Sequence, residues 1–528
     1  MIERSSNRVA NLAHFLTKNA ARWPNRAAII WEDNTWTWQE LDRRVSALAA
    51  ALSDRFGITK GDSLLVQAQN SNQMTEIMLA AFRLGAIWVP CNFRQAPAET
   101  AYTCEKSKAK VMLCDADYEE QAQAVKAANP DVRGIVSIGE SAFGVSYETL
   151  LTSHMGTQFP NAPVDYTDPC WLFFTSGSTG RPKAVVLSHG QIGFVAVNYM
   201  TDLMPGTNEE DASLVIAPLS HGAGLQQIAQ LSAGTAHVLM PRTGFNPTVA
   251  FELIEKHKVS NMFTVPTIVK RLVEDPAVER YDHSSLRHVI YAGAPMYRED
   301  QKLALKKLGS VLVQYYGLGE VTGNITVLRP QDHVQEDGPE ARIGTCGTER
   351  TGIEVSIQDE TGALLPPGTT GEVCVIGAAV CAGYLEDDAA NENAFRDGWF
   401  RTGDIGHMDE DRYLYLTGRA SDMYISGGSN VYPKEVEEVL LAHPSLSEVA
   451  ILGIPDPQWG EVGLAVCVAS TNSEPEPEAA ELSEFLAGKI ARYKRPHRYL
   501  FIQAMPTSAY GKITKKLVRE FLIEKGLI

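Results

Sequence analysis

Short runs of apolar residues with strand-like composition alternate with segments whose apolar side chains recur every three or four positions. That alternation leaves the chain few architectures. Residues 26–31 and 35–38 flank Glu32, Asp33 and Asn34 and read as a hairpin. Thr37 and Glu40 then have capping-box spacing, and Leu41, Val45, Leu48 and Leu52 keep one helical face apolar. Residues 63–68 predict a strand, 74–84 a helix, 86–89 a strand, 98–106 a helix and 110–114 a strand. The same rhythm returns at 237–240, 249–257, 262–265 and 288–293, with a further helix before the last of these. Strands that follow one another through a helix run parallel, so the pattern predicts mostly parallel sheets covered by helices.

The texture changes from Gly352, where short strands joined by Gly- and Pro-containing turns predict a β-rich section that completes the large unit. After it comes a smaller α/β stretch with helices at 434–442 and around 481–491 and strands at 448–454 and 464–470. "NSEPEPEAAE" (472–481) reads as a solvated acidic loop inside that stretch. A chain of 528 residues exceeds one compact core, so at least two domains are expected, with the boundary placed between residues 418 and 419.

Composition narrows the function. Hydrophobic residues make up 44% and charged residues 21%, as in ordinary globular proteins. The net charge of −17 argues against a nucleic-acid binder or an anionic-membrane binder, which would need a basic face. No apolar stretch reaches the roughly 18 residues of a membrane span, and the N-terminus lacks the apolar core of a secretory signal. Eight cysteines lie scattered without a CxxC pair, so reduced thiols in the cytoplasm are expected, not a disulfide framework or a zinc site.

The densest chemical signal is "WLFFTSGSTGRPKAVVLSHG" (171–190), where Thr175, Ser176, Gly177, Ser178, Thr179 and Gly180 stand between two apolar strand-like runs, followed by Lys183. A Walker loop is excluded: Pro182 stands where that pattern needs glycine, and Ala184, not Ser or Thr, follows the lysine. The loop suits a polyphosphate nonetheless. Glycines let backbone N–H groups approach closely, hydroxyls donate hydrogen bonds and the lysine supplies charge. A plain surface turn is the competing reading of any Gly/Ser stretch, but here specified residues are hemmed in by buried strands.

"TSGSTGRPK" resembles the phosphate loop of the adenylate-forming superfamily, which includes acyl-CoA synthetases, luciferases and peptide-synthetase adenylation domains. The resemblance covers essentially the whole chain in order: "APLSHGAG" (217–224), "YAGAP" (291–295), "YYGLGE" (315–320), "WFRTGDIG" (399–406), "YLTGRASDMYISGGSNVYPKEVE" (415–437) and "TSAYGKITKK" (507–516). It implies an α/β fold with a large N-terminal AMP- and acyl-binding domain and a small mobile α+β C-terminal domain. The reaction implied is AMP-forming acyl-CoA synthesis: a carboxylate attacks the α-phosphorus of ATP, releasing pyrophosphate, and a thiol then takes the acyl group. ATP, Mg²⁺ and coenzyme A are the implied ligands, with a small-molecule carboxylic acid as substrate and a homodimer as one assembly open to the family.

Residue by residue, the resemblance assigns Lys512 to the substrate carboxylate and α-phosphate, Glu320 to Mg²⁺ and His221 to the gate of the acyl pocket. Asp404 would accept from both ribose hydroxyls, and Arg419 would contact the ribose or a phosphate. Gly293, Ala294 and Pro295 would form the adenine wall, Tyr316 and Gly317 would lie against the base, and Gly427 and Gly428 would border the pantetheine channel. Ser421 occupies the hinge, where the family usually has Asp or Lys. Gly319 stands where the family usually has a phosphate-contacting threonine, so a backbone N–H, water or Thr322 would have to substitute. Each residue also has a plain reading: a turn for Asp404 or the glycine pair, a core ring for Tyr316 or His221, a solvated charge for Glu320 or Lys512.

The acyl-pocket stretches "SHGAGLQQIAQL", "MFTVPT" and "YAGAPM" contain no Arg or Lys, which disfavours a second carboxylate on the substrate and leaves fatty, branched and aryl acids open. Free coenzyme A is the expected acceptor, since "ISGGSNVYPKEVE" resembles the acyl-CoA synthetases. A carrier-protein phosphopantetheine, an oxidative fate for the adenylate and a nucleotide-binding regulator without catalysis remain the alternatives.

Overall fold

The computed structural model describes residues 7–175, 181–338, 341–419, 421–470, 477–507 and 513–528. Among them, two large sheets carry the N-terminal part. The first has seven strands in the order Lys183–Ser188, Pro169–Thr175, Ile87–Pro90, Ser63–Gln67, Val111–Asp115, Gly134–Ile138 and Val145–Ser146. Only its outermost pair, Lys183–Ser188 on Pro169–Thr175, is antiparallel. The second has nine strands and is parallel from Leu312–Tyr316 through His288–Tyr291, Asn261–Thr264, Ala212–Val215 and Ala236–Leu239 to Ala27–Trp31. Antiparallel strands close both of its edges. Ser63–Gln67 and Val111–Asp115 are buried along their whole length, as their unbroken apolar runs require of strands covered on both faces.

Helices Trp38–Phe56, Asn72–Leu84 and Gly222–Ala233 contribute to one continuous apolar core with residues of both sheets. Thr37 and Glu40 form the expected capping box, and Gly57 ends that helix in the left-handed conformation at φ 62°. Helix Asn72–Leu84 is buried nearly all round, so its two charges must be paired. Glu76 receives Arg44 at 2.7 Å and the Tyr147 hydroxyl at 2.7 Å, while Arg83 reaches Asp42 at 2.5 Å.

The β-rich section is antiparallel, with Ile353–Gln358, Gly371–Gly377, Trp399–Met408 and Leu414–Arg419 in successive contact. Beyond it, Leu446–Asp456 and Gly460–Ala469 form a long hairpin with separate apolar faces. Val449 and Ile451 pack beneath helices Pro433–Leu441 and Ala479–Leu486, whereas Ala450, Leu452 and Ile454 pack beneath Lys515–Glu524. This is the period-two alternation of a sheet covered on both sides. No apolar core is shared across the passage from Leu416 to Tyr424 among the described residues.

Two expectations need correction. The helix expected around 481–491 ends at Leu486, because Ala487 turns extended and Gly488 takes φ 81°. The acidic stretch is not loop throughout, since helix Ala479–Leu486 begins inside it; residues 471–476 lie outside the described residues. All eight cysteines are free and buried. No helix among the described residues is long and apolar enough to cross a membrane.

Candidate active site

The carboxyl ends of parallel strands are where open α/β sheets hold ligands, because loops there leave backbone groups exposed. Of the expected site residues, Thr175 and Tyr316 end strands of these two sheets and Gly293 and Glu320 follow closely after such strands, whereas Asp404 and Arg419 stand on antiparallel strands of the β-rich section. Strands Pro169–Thr175 and Lys183–Ser188 pair up to Thr175 opposite Lys183, which pins both feet of the phosphate loop. Ser176, Gly177, Ser178, Thr179 and Gly180 lie outside the described residues. From its foot the Thr175 hydroxyl donates to Glu320 Oε1 at 3.1 Å, and the Tyr384 hydroxyl donates to the same oxygen at 3.1 Å. Lys183 Nζ stands 4.9 Å from the centroid of the Tyr384 ring. Burial, reinforced by the Glu320 charge, raises the Tyr384 pKa, so the phenol stays a donor. Tyr384 is held in place by an antiparallel bridge to Val185 and by its own N–H, which donates to Asn391 Oδ1 at 2.8 Å.

Glu320 sits in the short turn Gly319–Val321, and its carbonyl accepts from Cys381 N at 2.7 Å. Beside it, the missing side chain of Gly319 has a cause. A β-carbon there would lie 2.7 Å from Phe173 Cε1, 2.8 Å from Phe173 Cδ1 and 2.9 Å from Thr175 Cγ2. The Phe173 ring therefore takes the room that the family's threonine would use. On its other side it stacks on His221, with centroids 4.8 Å apart and planes 26° apart. Trp171 and Trp88 continue this aromatic row inward at 5.7 and 4.5 Å. His221 stands at the N-terminus of helix Gly222–Ala233, next to Gly222, whose absent β-carbon would fall 3.1 Å from the Phe263 ring.

Thr322 does not replace the missing hydroxyl. Its side chain is fully buried, with Oγ1 at 2.6 Å from Val321 O and 3.3 Å from Ala379 O. It is committed to the backbone on the side away from solvent.

Asp404 and Arg419 face each other across adjacent strands, with Arg419 Nε 3.3 Å from Asp404 Oδ1. The Tyr316 hydroxyl donates to Asp404 Oδ2 at 2.6 Å. Burial raises the Asp404 pKa from its ordinary value, and the Arg419 charge opposes that rise. Tyr316, expected only as a stacking ring, thus also fixes the carboxylate. Gly317 follows it because a β-carbon would come 2.4 Å from the Gly323 backbone. Gly293, Ala294 and Pro295 leave the end of strand His288–Tyr291, with Gly293 at φ 86° and Pro295 exposed.

On the C-terminal side, Lys512 lies outside the described residues. Ser421 is exposed, its hydroxyl 3.5 Å from Asp422 Oδ1. Gly427 and Gly428, at φ 56° and 82°, make the two-residue turn between Tyr424–Ser426 and Ser429–Val431, so the hairpin alone accounts for both. Gly427 also passes close beneath Trp459, whose ring would lie 2.7 Å from an added β-carbon. Lys434 Nζ donates to Leu416 O at 2.9 Å and ties helix Pro433–Leu441 to the preceding strand.

Residues 16–385 match the AMP-binding enzyme family, and residues 435–512 match the AMP-binding enzyme C-terminal domain. The chain belongs to the AMP-binding enzyme family. A feruloyl-CoA synthase from Amycolatopsis sp is 33% identical over 96% of this chain and 98% of its own length. An indoleacetate–CoA ligase from Aromatoleum aromaticum is 32% identical, covering 97% and 98% of the two chains. The o-succinylbenzoate CoA synthetase of Bacillus subtilis, solved with its acyl-adenylate, superimposes with a TM-score of 0.84 at 28% identity, over 98% of each chain. The fold is thus that of the adenylate-forming enzymes, and the related ligases at this level of identity make AMP-forming acid–coenzyme A ligation the activity of the group.

For such an enzyme the metal donors fit. Among the described residues no three His, Cys, Asp or Glu side chains cluster, and Glu320 is a single hard oxygen donor at the loop's foot. Mg²⁺ commonly takes one or two carboxylates and completes its shell with phosphate and water. Sequence reasoning missed Tyr384 and Phe173, since a tyrosine in "AGYLED" and a phenylalanine in an apolar strand carry no motif. The small residue at 319 was the available signal that a bulky neighbour fills that space.

Proposed function

We propose that this chain activates a monocarboxylic acid with ATP and transfers the acyl group to coenzyme A. The observation that carries the reading is the convergence on Glu320. Thr175 and Tyr384 donate to one carboxylate oxygen, and Lys183 stands over the Tyr384 ring at the foot of a loop rich in glycine and hydroxyls, with the Asp404–Arg419 pair on the neighbouring section. Joining two anions requires positive charge and fixed dipoles aimed at the reacting phosphate. In the proposed arrangement Lys183 and the hydroxyls of Thr175, Ser176, Ser178 and Thr179 hold the β- and γ-phosphates. Asp404 accepts from the ribose hydroxyls, Tyr316 and the Gly293–Pro295 segment border the adenine, and Glu320 holds Mg²⁺, which offsets phosphate charge when bound.

Lys512 reaches the acid's carboxylate, whose oxygen attacks the α-phosphorus while the bond to pyrophosphate breaks. The thiol sulfur then attacks the acyl carbon, losing its proton, and AMP leaves. Lys512 and an incoming thiol need the same ground, so the part from residue 419 onward turns about Ser421 between the steps. The hairpin carrying Gly427 and Gly428 then meets the pantetheine arm. Ring-bearing acids are favoured by the relatives named for feruloyl and indoleacetate substrates, and reduced buried cysteines suit a cytoplasmic setting.

The test is a panel of fatty, branched and aryl acids with ATP, Mg²⁺ and coenzyme A, reading AMP and thioester together. Matched formation of both supports the ligase. AMP formed only with a carrier protein would move the acceptor, and nucleotide binding without AMP from any acid would make the chain a binder.

A further inference from the structure

Helix Gly222–Ala233 runs inward from His221 and carries three glutamines whose side chains are almost wholly enclosed: Gln226 at 3%, Gln227 at 2% and Gln230 at 1% exposure. Buried amides find partners as a rule, since an unmet polar atom costs stability. Gln227 meets the rule through Thr75 Oγ1, 3.1 Å from its nitrogen. The other two meet it only by half. Gln230 Nε2 donates to Ser213 Oγ at 2.9 Å and Gln226 Nε2 contacts Met204 Sδ at 3.4 Å, yet the Oε1 atoms of both have no hydrogen-bond partner among the described residues.

Both line one small cavity, together with Ala223, His237 and Phe263. Ala223, Gln226 and Gln230 follow i, i+3, i+7 spacing and so share a helix face. With a rise of about 1.5 Å per residue, Gln226 lies about 7.5 Å and Gln230 about 13.5 Å along the axis from His221. The cavity has room for about one water-sized group. Among the described residues no Lys, Arg, Asp or Glu lines it, and burial lowers the His237 pKa to about 4, so the imidazole is neutral at ordinary pH. One wall is flat: Phe263 stacks on Tyr315 with centroids 5.8 Å apart and planes 16° apart.

We propose that this cavity is the specificity end of the acyl site, and that the enzyme's acid is an aryl acid bearing a neutral hydrogen-bond donor, a phenolic hydroxyl or ring N–H, far from its carboxylate. One of the two amide oxygens accepts that donor's single hydrogen while the ring lies along Phe263. An alkyl tail would leave both oxygens unmet, and a second carboxylate would face acceptors with no cation. This deepens the ligase reading and rests on it.

The experiment measures kcat/KM for AMP release on the unaltered enzyme with three matched acids: an arylpropenoic acid with a ring hydroxyl opposite the side chain, the same acid without it, and its methyl ether. The hydroxy acid is expected to lead both others by about ten- to a hundredfold, the scale of an unmet buried acceptor. The ratio of hydroxy to deoxy acid is expected to fall to near one in the double variant Gln226→Leu/Gln230→Leu and in whichever single variant removes the accepting oxygen. Equal use of the three acids by the unaltered enzyme, or a lead for straight-chain fatty acids, overturns the proposal alone. Absence of AMP release with every acid overturns the ligase reading and this proposal with it.

Discussion

Replacing Gly319 with threonine restores the residue that the family pattern expects, and the structure predicts harm from it. The backbone at 319 has no left-handed φ, so the chain itself tolerates a side chain. The obstacle is the Phe173 ring, 2.7 and 2.8 Å from the position of a β-carbon, and the Thr175 methyl at 2.9 Å. Phe173 is only 5% exposed and packs against both Trp171 and His221, so moving its ring disturbs two further aromatic contacts. Overpacking of a core costs about 1–3 kcal/mol, and a β-branched residue against a buried ring falls near about 2–3 kcal/mol. A displaced Thr175 also loses its hydrogen bond to Glu320, worth about 1 kcal/mol more, or roughly fivefold in nucleotide-dependent rate. Urea unfolding of Gly319→Thr should show a lowered midpoint, and acid-dependent pyrophosphate exchange should slow about five- to tenfold. Adding Phe173→Leu to the same chain should recover part of the stability. A Gly319→Thr enzyme with unchanged midpoint and equal or faster exchange would refute the reasoning.

Tyr384→Phe removes one of the two donors that the described residues place on Glu320 Oε1; the Mg²⁺ concentration for half-maximal adenylation should rise about three- to tenfold, whereas an unchanged Mg²⁺ dependence would separate Tyr384 from the metal. Burial lowers the pKa of His189, His237, His288 and His333 from 6.5 to about 4. The unfolded chain therefore takes up protons first as pH falls from 6.5 towards 4, and stability drops by up to about 1.4 kcal/mol per pH unit for each; a melting temperature flat across that window would contradict it. Ser421→Pro should leave pyrophosphate exchange within about threefold while thioester formation falls more than tenfold, a split expected when a hinge serves only the second step; equal loss of both would remove the hinge role.

Motif residues were legible because their chemistry demands particular neighbours. Glu320, Asp404 and Arg419 stand in stretches where turn glycines and charges recur, and the fold brings Asp404 to Arg419 across one pair of strands. The alternation of strands and helices was legible because burial on two faces leaves long apolar runs, as in Val111–Asp115. Complementarity between distant residues was not. Phe173 and Gly319 fit each other, and Tyr384 reaches Glu320, only once three separate segments pack. Gln226 and Gln230 in an apolar helix look like tolerated polar residues until their unmet oxygens are seen around a cavity. Thr322 shows the reverse error, since a hydroxyl two residues from the key glutamate turns inward to the backbone. The helix expected to reach 491 overshot because Gly488 lies inside an otherwise continuous pattern.

The central claim is that an acid and ATP form a mixed anhydride at the foot of the phosphate loop before any thiol arrives. Exchange of labelled pyrophosphate into ATP, with Mg²⁺ and acid but without coenzyme A, tests it most directly. The unaltered enzyme should show exchange that depends on the acid, and Lys512→Ala should reduce it by roughly 10²–10³, the scale for losing one transition-state donor. No exchange with any acid, or exchange indifferent to Lys512, would contradict it.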